Sequence, residues 1–174
     1  NHHLAATKAG ALVVDHVKDL DGMSEGAIAA AANDAKQRGL AGKWVIALQN
    51  TTQQPAQSSL NNRATRQKLF IASTTRAEHS DSNDTRGIVK RLAQLRADKA
   101  KLLGFPTYSA YALDNQMAKT PQNAEKLLTD LVPAAIAKAK YEASQQQAVI
   151  GKQGGGFKLA PWDWQYYSEQ VRKA

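Results

Sequence analysis

The sequence predicts a mainly α-helical fold carrying one small two-stranded β element. Three observations point there. Hydrophobic residues make up 43% of the chain but aromatic ones only 6%, and alanine fills much of the apolar count. That is the composition of helices packed closely through small side chains. From Leu60 onward apolar residues recur at helical spacing. Only 11–17 (ALVVDHV) and 43–49 (KWVIALQ) carry the β-branched content of strands.

Between those strands, Ser24 is placed to cap a helix, an alanine run propagates it, and Gly39 stops it. Two short strands around one helix cannot make a self-sufficient sheet, so residues 10–50 read as a small β-α-β appendage on a helical body over 60–150. Within that body Asp81 or Ser82 is expected to cap a helix over 86–103. Ile88, Leu92, Leu95 and Leu102 share one of its faces, and Gly104 with Pro106 ends it. Thr107 caps a short segment through Met117. Thr120 and Pro121 open the next helix, with Ala124, Leu127, Leu128, Leu131, Val132, Ala135 and Ile136 as its expected buried stripe. Pro133 lies opposite that stripe, where a bend would turn it to solvent. A Gly-rich connector over 151–160 then leads to an aromatic helix start at Pro161. All 174 residues fit the size of one domain, with no internal repeat.

The chain has no cysteine, which excludes disulfides, thiolate metal sites and cysteine nucleophiles and fits a reducing compartment. No apolar run approaches the roughly 20 residues of a membrane span, and the first residues lack the pattern of a signal peptide. A cytoplasmic protein with no membrane partner is expected.

Four histidines, His2, His3, His16 and His79, are the imidazoles available, and no His-Glu-x-x-His spacing occurs. Incidental histidines describe them better than zinc ligands. The stretch from Asp81 to Gly87 starts like a calcium loop, but Arg86 stands at its sixth position and Leu92 at its twelfth. Glycines from Gly151 to Gly156 lack the Gly-Lys-Ser/Thr ending of a phosphate-binding loop, so a flexible connector is expected there.

The formal charge of +8 raises nucleic-acid binding. On the helix over 86–103, however, Arg86, Lys90 and Lys101 lie opposite the leucine face, Arg91 and Arg96 flank it, and Lys99 intrudes on it. That is an ordinary solvated face, with no interleaved aromatic residue for bases to stack on. Trp162, Trp164, Tyr166 and Tyr167 are different. Their apolar area, at roughly 25 cal/mol per Å², demands packing partners or a ligand.

Three segments carry a family resemblance: 48–70 (LQNTTQQPAQSSLNNRATRQKLF), 92–121 (LAQLRADKAKLLGFPTYSAYALDNQMAKTP) and 155–174 (GGFKLAPWDWQYYSEQVRKA). Together they resemble an internal region of the M3 family of zinc metallopeptidases, nearest its peptidyl-dipeptidase (dipeptidyl carboxypeptidase) branch. The resemblance implies a larger, mostly helical enzyme with a deep channel that admits short peptides. This chain would then be one helical segment of it, forming a lobe or channel wall. Its aromatic cluster is expected to be interior, packed by helices this sequence does not contain. The resemblance also implies that the zinc ligands and catalytic glutamate lie outside the region covered. No catalytic, cofactor-binding or metal residue is therefore assigned here, and zinc is expected of the parent enzyme alone. Expected partners are oligopeptide substrates, through the parent enzyme, and the remainder of the same polypeptide. A non-catalytic helical module gripping peptides through Trp162, Trp164, Tyr166 and Tyr167 is the alternative, and a basic nucleic-acid binder the remoter one.

Overall fold

The computed structural model describes residues 2–174. A first helix, α1 (His2–Ala9), leads into β1 (Leu12–Val14), which pairs antiparallel with β2 (Trp44–Ile46) in the register Leu12 to Ile46, Val13 to Val45 and Val14 to Trp44. The fold is mainly helical with this one two-stranded sheet. Both strands are shorter than their β-branched runs. β1 stops at Asp15, whose carboxylate takes the Lys43 ammonium at 2.8 Å, and Val17 already begins a 3-10 turn through Leu20.

Helix α2 (Glu25–Gln37) joins the strands and starts where Ser24 accepts the Ala27 N–H at 3.3 Å. Gly39 ends it in the left-handed region at φ +74°, and the Leu40 N–H closes back on the Ala35 carbonyl at 2.8 Å. Helix α3 (Asn50–Ser59) is unforeseen by the apolar pattern because its sequence, NTTQQPAQSS, is polar and contains Pro55. Helix α4 (Arg63–Thr74) follows at once, with Asn62 accepting the Thr65 N–H at 3.1 Å.

Val14, Leu20, Ile46, Leu48, Ala56, Leu60 and Leu69 form one buried core, flanked by Met23, Ile28 and Trp44. Strands and helices α3 and α4 therefore share a single interior. Each fully buried leucine or isoleucine there contributes on the order of 1.5–3 kcal/mol. Gly22 holds the seam of this interior. Its φ is +91°, and a Cβ there would lie 2.1 Å from the Ser59 carbonyl oxygen, so a side chain is excluded. Beside it Asn61 binds Asp21 twice, N–H to carbonyl at 2.8 Å and Nδ2 to Oδ2 at 2.9 Å.

Two compact units result: residues up to 84 together with 142–174, and residues 85–141. The second holds α5 (Arg86–Leu102), α6 (Tyr108–Leu113) and the first two-thirds of α7 (Pro121–Lys152). Asp81 and Ser82 do not cap α5. Asp81 accepts the Asn83 N–H at 2.8 Å, and the Ser80 N–H reaches Asp84 at 2.9 Å, so a tight turn uses those donors and acceptors before the helix begins. The other punctuation lies where the sequence puts it. Gly104 (φ +80°) ends α5, Thr107 accepts the Ala110 N–H at 3.1 Å, and Thr120 accepts the Asn123 N–H at 3.2 Å.

Two departures concern α7. The stripe of Leu127, Leu128, Leu131, Val132 and Ile136 is exposed instead of buried. The helix continues through Pro133, as its place opposite the stripe predicts; the second departure is its end, which passes Gly151 to reach Lys152 before Gly155 closes on the Ile150 carbonyl at 2.9 Å. The connector after it is held: Gln147 donates to the Phe157 carbonyl at 3.0 Å and accepts the Leu159 N–H at 2.8 Å. Pro161 then opens a 3-10 turn to Asp163, and α8 (Trp164–Lys173) completes the chain.

Candidate functional site

The most densely bonded polar centre is built on Asp163, a carboxylate fully buried beside two arginines one turn apart on α4. Arg63 Nη2 donates to Oδ2 at 2.8 Å and Arg63 Nε to Oδ1 at 3.0 Å, the fork geometry that makes arginine a strong carboxylate partner. Arg66 Nη2 donates to Oδ1 at 3.1 Å, and its Nη1 donates to the carbonyls of Leu60 (2.7 Å) and Asn61 (3.1 Å). The Ala160 N–H adds a bond to Oδ2 at 3.1 Å. Spacing i, i+3 puts both guanidiniums on one side of α4, and the 3-10 turn after Pro161 aims the carboxylate between them.

Aromatic rings enclose the charges. The Arg63 guanidinium lies 4.1 Å from the Phe157 ring centre, and that of Arg66 lies 4.1 Å from the Tyr166 ring centre. Trp162 meets Phe70 edge-on at 6.4 Å, and the Tyr166 hydroxyl donates to Asn61 Oδ1 at 2.9 Å. Gln57 of α3 donates to the carbonyls of both Trp162 (2.9 Å) and Arg66 (3.2 Å), fastening the aromatic segment to α3 and α4 together.

The expectation that absent helices pack the aromatic cluster is thus corrected for most of it. Tyr167 is buried and Trp162 and Tyr166 are engaged by α3, α4 and Phe157 of this same chain. Trp164 is the exception. It lines an apolar groove of about 660 Å³ with Ala143, Gln147, Lys158, Leu159 and Pro161. A second groove of about 710 Å³ lies between α2 and α3, lined by Ala27, Ala30, Asp34, Arg38, Thr51 and Pro55 among others.

Burial alone would raise the Asp163 carboxyl, but the hydrogen bonds from Arg63, Arg66 and the Ala160 N–H outweigh it and hold the group below the ordinary carboxylate range. Burial pushes the Tyr167 phenol upward, against the pull of Arg66. A carboxylate held ionised and occupied on both oxygens is a poor proton acceptor. This centre fastens structure, and it offers no nucleophile beside a base.

The residues weighed from sequence are scattered. His2 Nδ1 donates to the Ser82 carbonyl at 3.0 Å, His16 and His79 are exposed, and the side chain of His3 lies outside the described set. Among the described residues no group of three or more His, Cys, Asp or Glu comes together that could hold a metal ion. The described residues therefore do not fit a zinc site. On α5, Arg96 lies 5.2 Å from the Tyr108 ring centre and Lys99 4.8 Å from that of Tyr111, so α6 brings aromatic rings to the cation that flanks the leucine face and the one that intrudes on it, which the projection of α5 alone does not show. Sequence reasoning missed Arg63, Arg66, Gln57 and Asp163. Its one available signal was the arginine pair at i, i+3 just inside a helix start.

Residues 56–174 of this mainly helical chain match the family model described as Peptidase family M3. The chain belongs to that family. It is similar to the dipeptidyl carboxypeptidase of Escherichia coli (strain K12), 55% identical over 98% of this chain and 25% of that protein. The dipeptidyl carboxypeptidase of Salmonella typhimurium is 48% identical over the same shares. Oligopeptidase A of Escherichia coli is 32% identical over 99% of the chain and 26% of its own length. The chain thus spans about a quarter of the length of these relatives.

Proposed function

We propose that this chain is a scaffold segment of a zinc metallopeptidase of the dipeptidyl carboxypeptidase type, which releases dipeptides from the C-termini of oligopeptides. The carrying observation is 55% identity across 98% of the chain to a protein named for that activity. The segment builds part of a lobe or channel wall and selects substrates by access, while zinc and the groups that work on the scissile bond come from other parts of the polypeptide. The Asp163 clamp suits this role, since a channel wall must hold its shape. A cytoplasmic location belongs to the same reading and is checked by cell fractionation.

The test uses the polypeptide in which the segment occurs. Its intact mass should be about four times 18.8 kDa, it should carry stoichiometric zinc, and it should release dipeptides from a free-carboxyl peptide. Absence of hydrolysis by the zinc-loaded polypeptide sinks the reading.

The groove at Trp164 favours a second reading, a non-catalytic module that holds peptides there. Of the four aromatic residues first considered for such a grip, Trp164 is the one that lines the groove. Titrating short peptides should then shift tryptophan fluorescence, and a Trp164→Phe variant should lose that shift; an unchanged spectrum at millimolar peptide excludes it.

A further inference from the structure

Residues 85–141 leave apolar surface open along two helices. On α7, Leu127, Leu128, Leu131, Val132 and Ile136 are between 47% and 64% exposed, and helical spacing puts them on one side. On α5, Ile88, Leu92, Leu95 and Leu102 are exposed in the same way, while the residue this helix buries is Ala100, off that face. Single exposed leucines are ordinary on a protein surface. Two stripes of helix length are not, and they mark surfaces meant to be covered.

Charge narrows the choice of what covers them. The same residues carry ten Lys and Arg against four Asp and Glu. A second copy of the chain would press that surplus against itself, so like-charge repulsion opposes self-association through this unit. A nucleic acid could satisfy the cations but has no use for rows of leucine. An anionic lipid surface suits the basic polar side of α5, but the polar side of α7 carries Asp130, ion-paired with Lys126 at 2.8 Å, so such a surface would suit one of the two faces and not both. Protein with an apolar face and surplus carboxylates satisfies both demands. The relatives of this chain are about four times as long over an otherwise continuous match, so the source of such protein is the remainder of the polypeptide.

We infer that the α5 and α7 faces form an internal seam against which the remainder of a longer polypeptide packs, bringing apolar side chains and acidic residues to it. The inference rests on the reading of this chain as a segment of a longer peptidase. Hydroxyl-radical footprinting of that longer polypeptide, native against denatured, tests it. Leu128 and Leu131 should be protected severalfold in the native state, and Leu131→Asp should lower the melting temperature more than Thr129→Asp, on the polar side of α7. Unprotected Leu128 and Leu131 overturn the seam. So does protection that disappears on dilution, which means a second copy, or that requires phosphatidylserine vesicles, which means a membrane. Should Leu131→Asp fail to fold, the footprint of the unmodified polypeptide still decides. Dipeptide release is scored separately: hydrolysis with unprotected leucines defeats the seam alone, and protection without hydrolysis defeats the peptidase reading alone.

Discussion

The two compact units of this chain bury opposite things. Residues up to 84 with 142–174 bury a leucine core and, beside it, a carboxylate with two arginines. Residues 85–141 are as apolar by pattern yet leave their leucines open. Hydrophobic periodicity reports which face of a helix seeks cover, and it is silent on whether the cover lies in the same chain. Substitutions at matched positions should therefore give large effects in the first unit and small ones in the second.

The largest effect is expected at Asp163. Replacing it with alanine strands Arg66, whose side chain is 2% exposed, beside Arg63 with no countercharge, and breaking a buried pair costs about 3–5 kcal/mol. Urea denaturation followed by circular dichroism measures this. Leu69→Ala, in the core, is expected to cost about 2–5 kcal/mol through its cavity. If either change leaves the midpoint where it was, the contrast between the units fails.

Acid should act through the same carboxylate. Its folded pKa lies below the ordinary 3.8, so the unfolded chain binds a proton more readily. The resulting stabilisation is complete above the unfolded value and is lost as pH falls from there through the folded one. Urea midpoints measured from pH 6 downward should drop more steeply below about pH 4 for the native sequence than for Asp163→Asn. Parallel curves would show that the carboxylate does not carry the acid sensitivity.

Gly22→Ala comes next. It forces a Cβ to 2.1 Å from the Ser59 carbonyl oxygen at a positive φ, and strain of this kind costs of order 1–3 kcal/mol, read again from urea midpoints.

What could be read from the sequence divides along physical lines. Ser24, Gly39, Gly104, Thr107 and Thr120 mark helix ends correctly because capping is local chemistry, settled within four residues. Helix α3 was illegible since NTTQQPAQSS has neither an apolar stripe nor good helix formers, and tertiary contacts to β2, α4 and α8 decide its conformation. Asp81 misled because a turn and a helix start draw on the same Asp and Ser side chains. The clamp was hidden for another reason: Asp163 lies 97 and 100 residues from its arginines, and nothing local in Pro-Trp-Asp-Trp signals a partner so distant.

The smallest expected effect sharpens the comparison most. Leu131 and Leu69 are the same residue on helices of similar pattern, yet Leu131 is 59% exposed and Leu69 is fully buried. A truncation costs transfer free energy only in proportion to the surface it had removed from water, so Leu131→Ser in this 174-residue chain should change stability by no more than about 0.5 kcal/mol. The urea midpoint should hardly move, while Leu69→Ser shifts it well beyond that. A large loss at Leu131 would mean that α7 is covered within the chain after all. The open stripe would then be an ordinary helix face, and the difference between the units would lie in their charge alone.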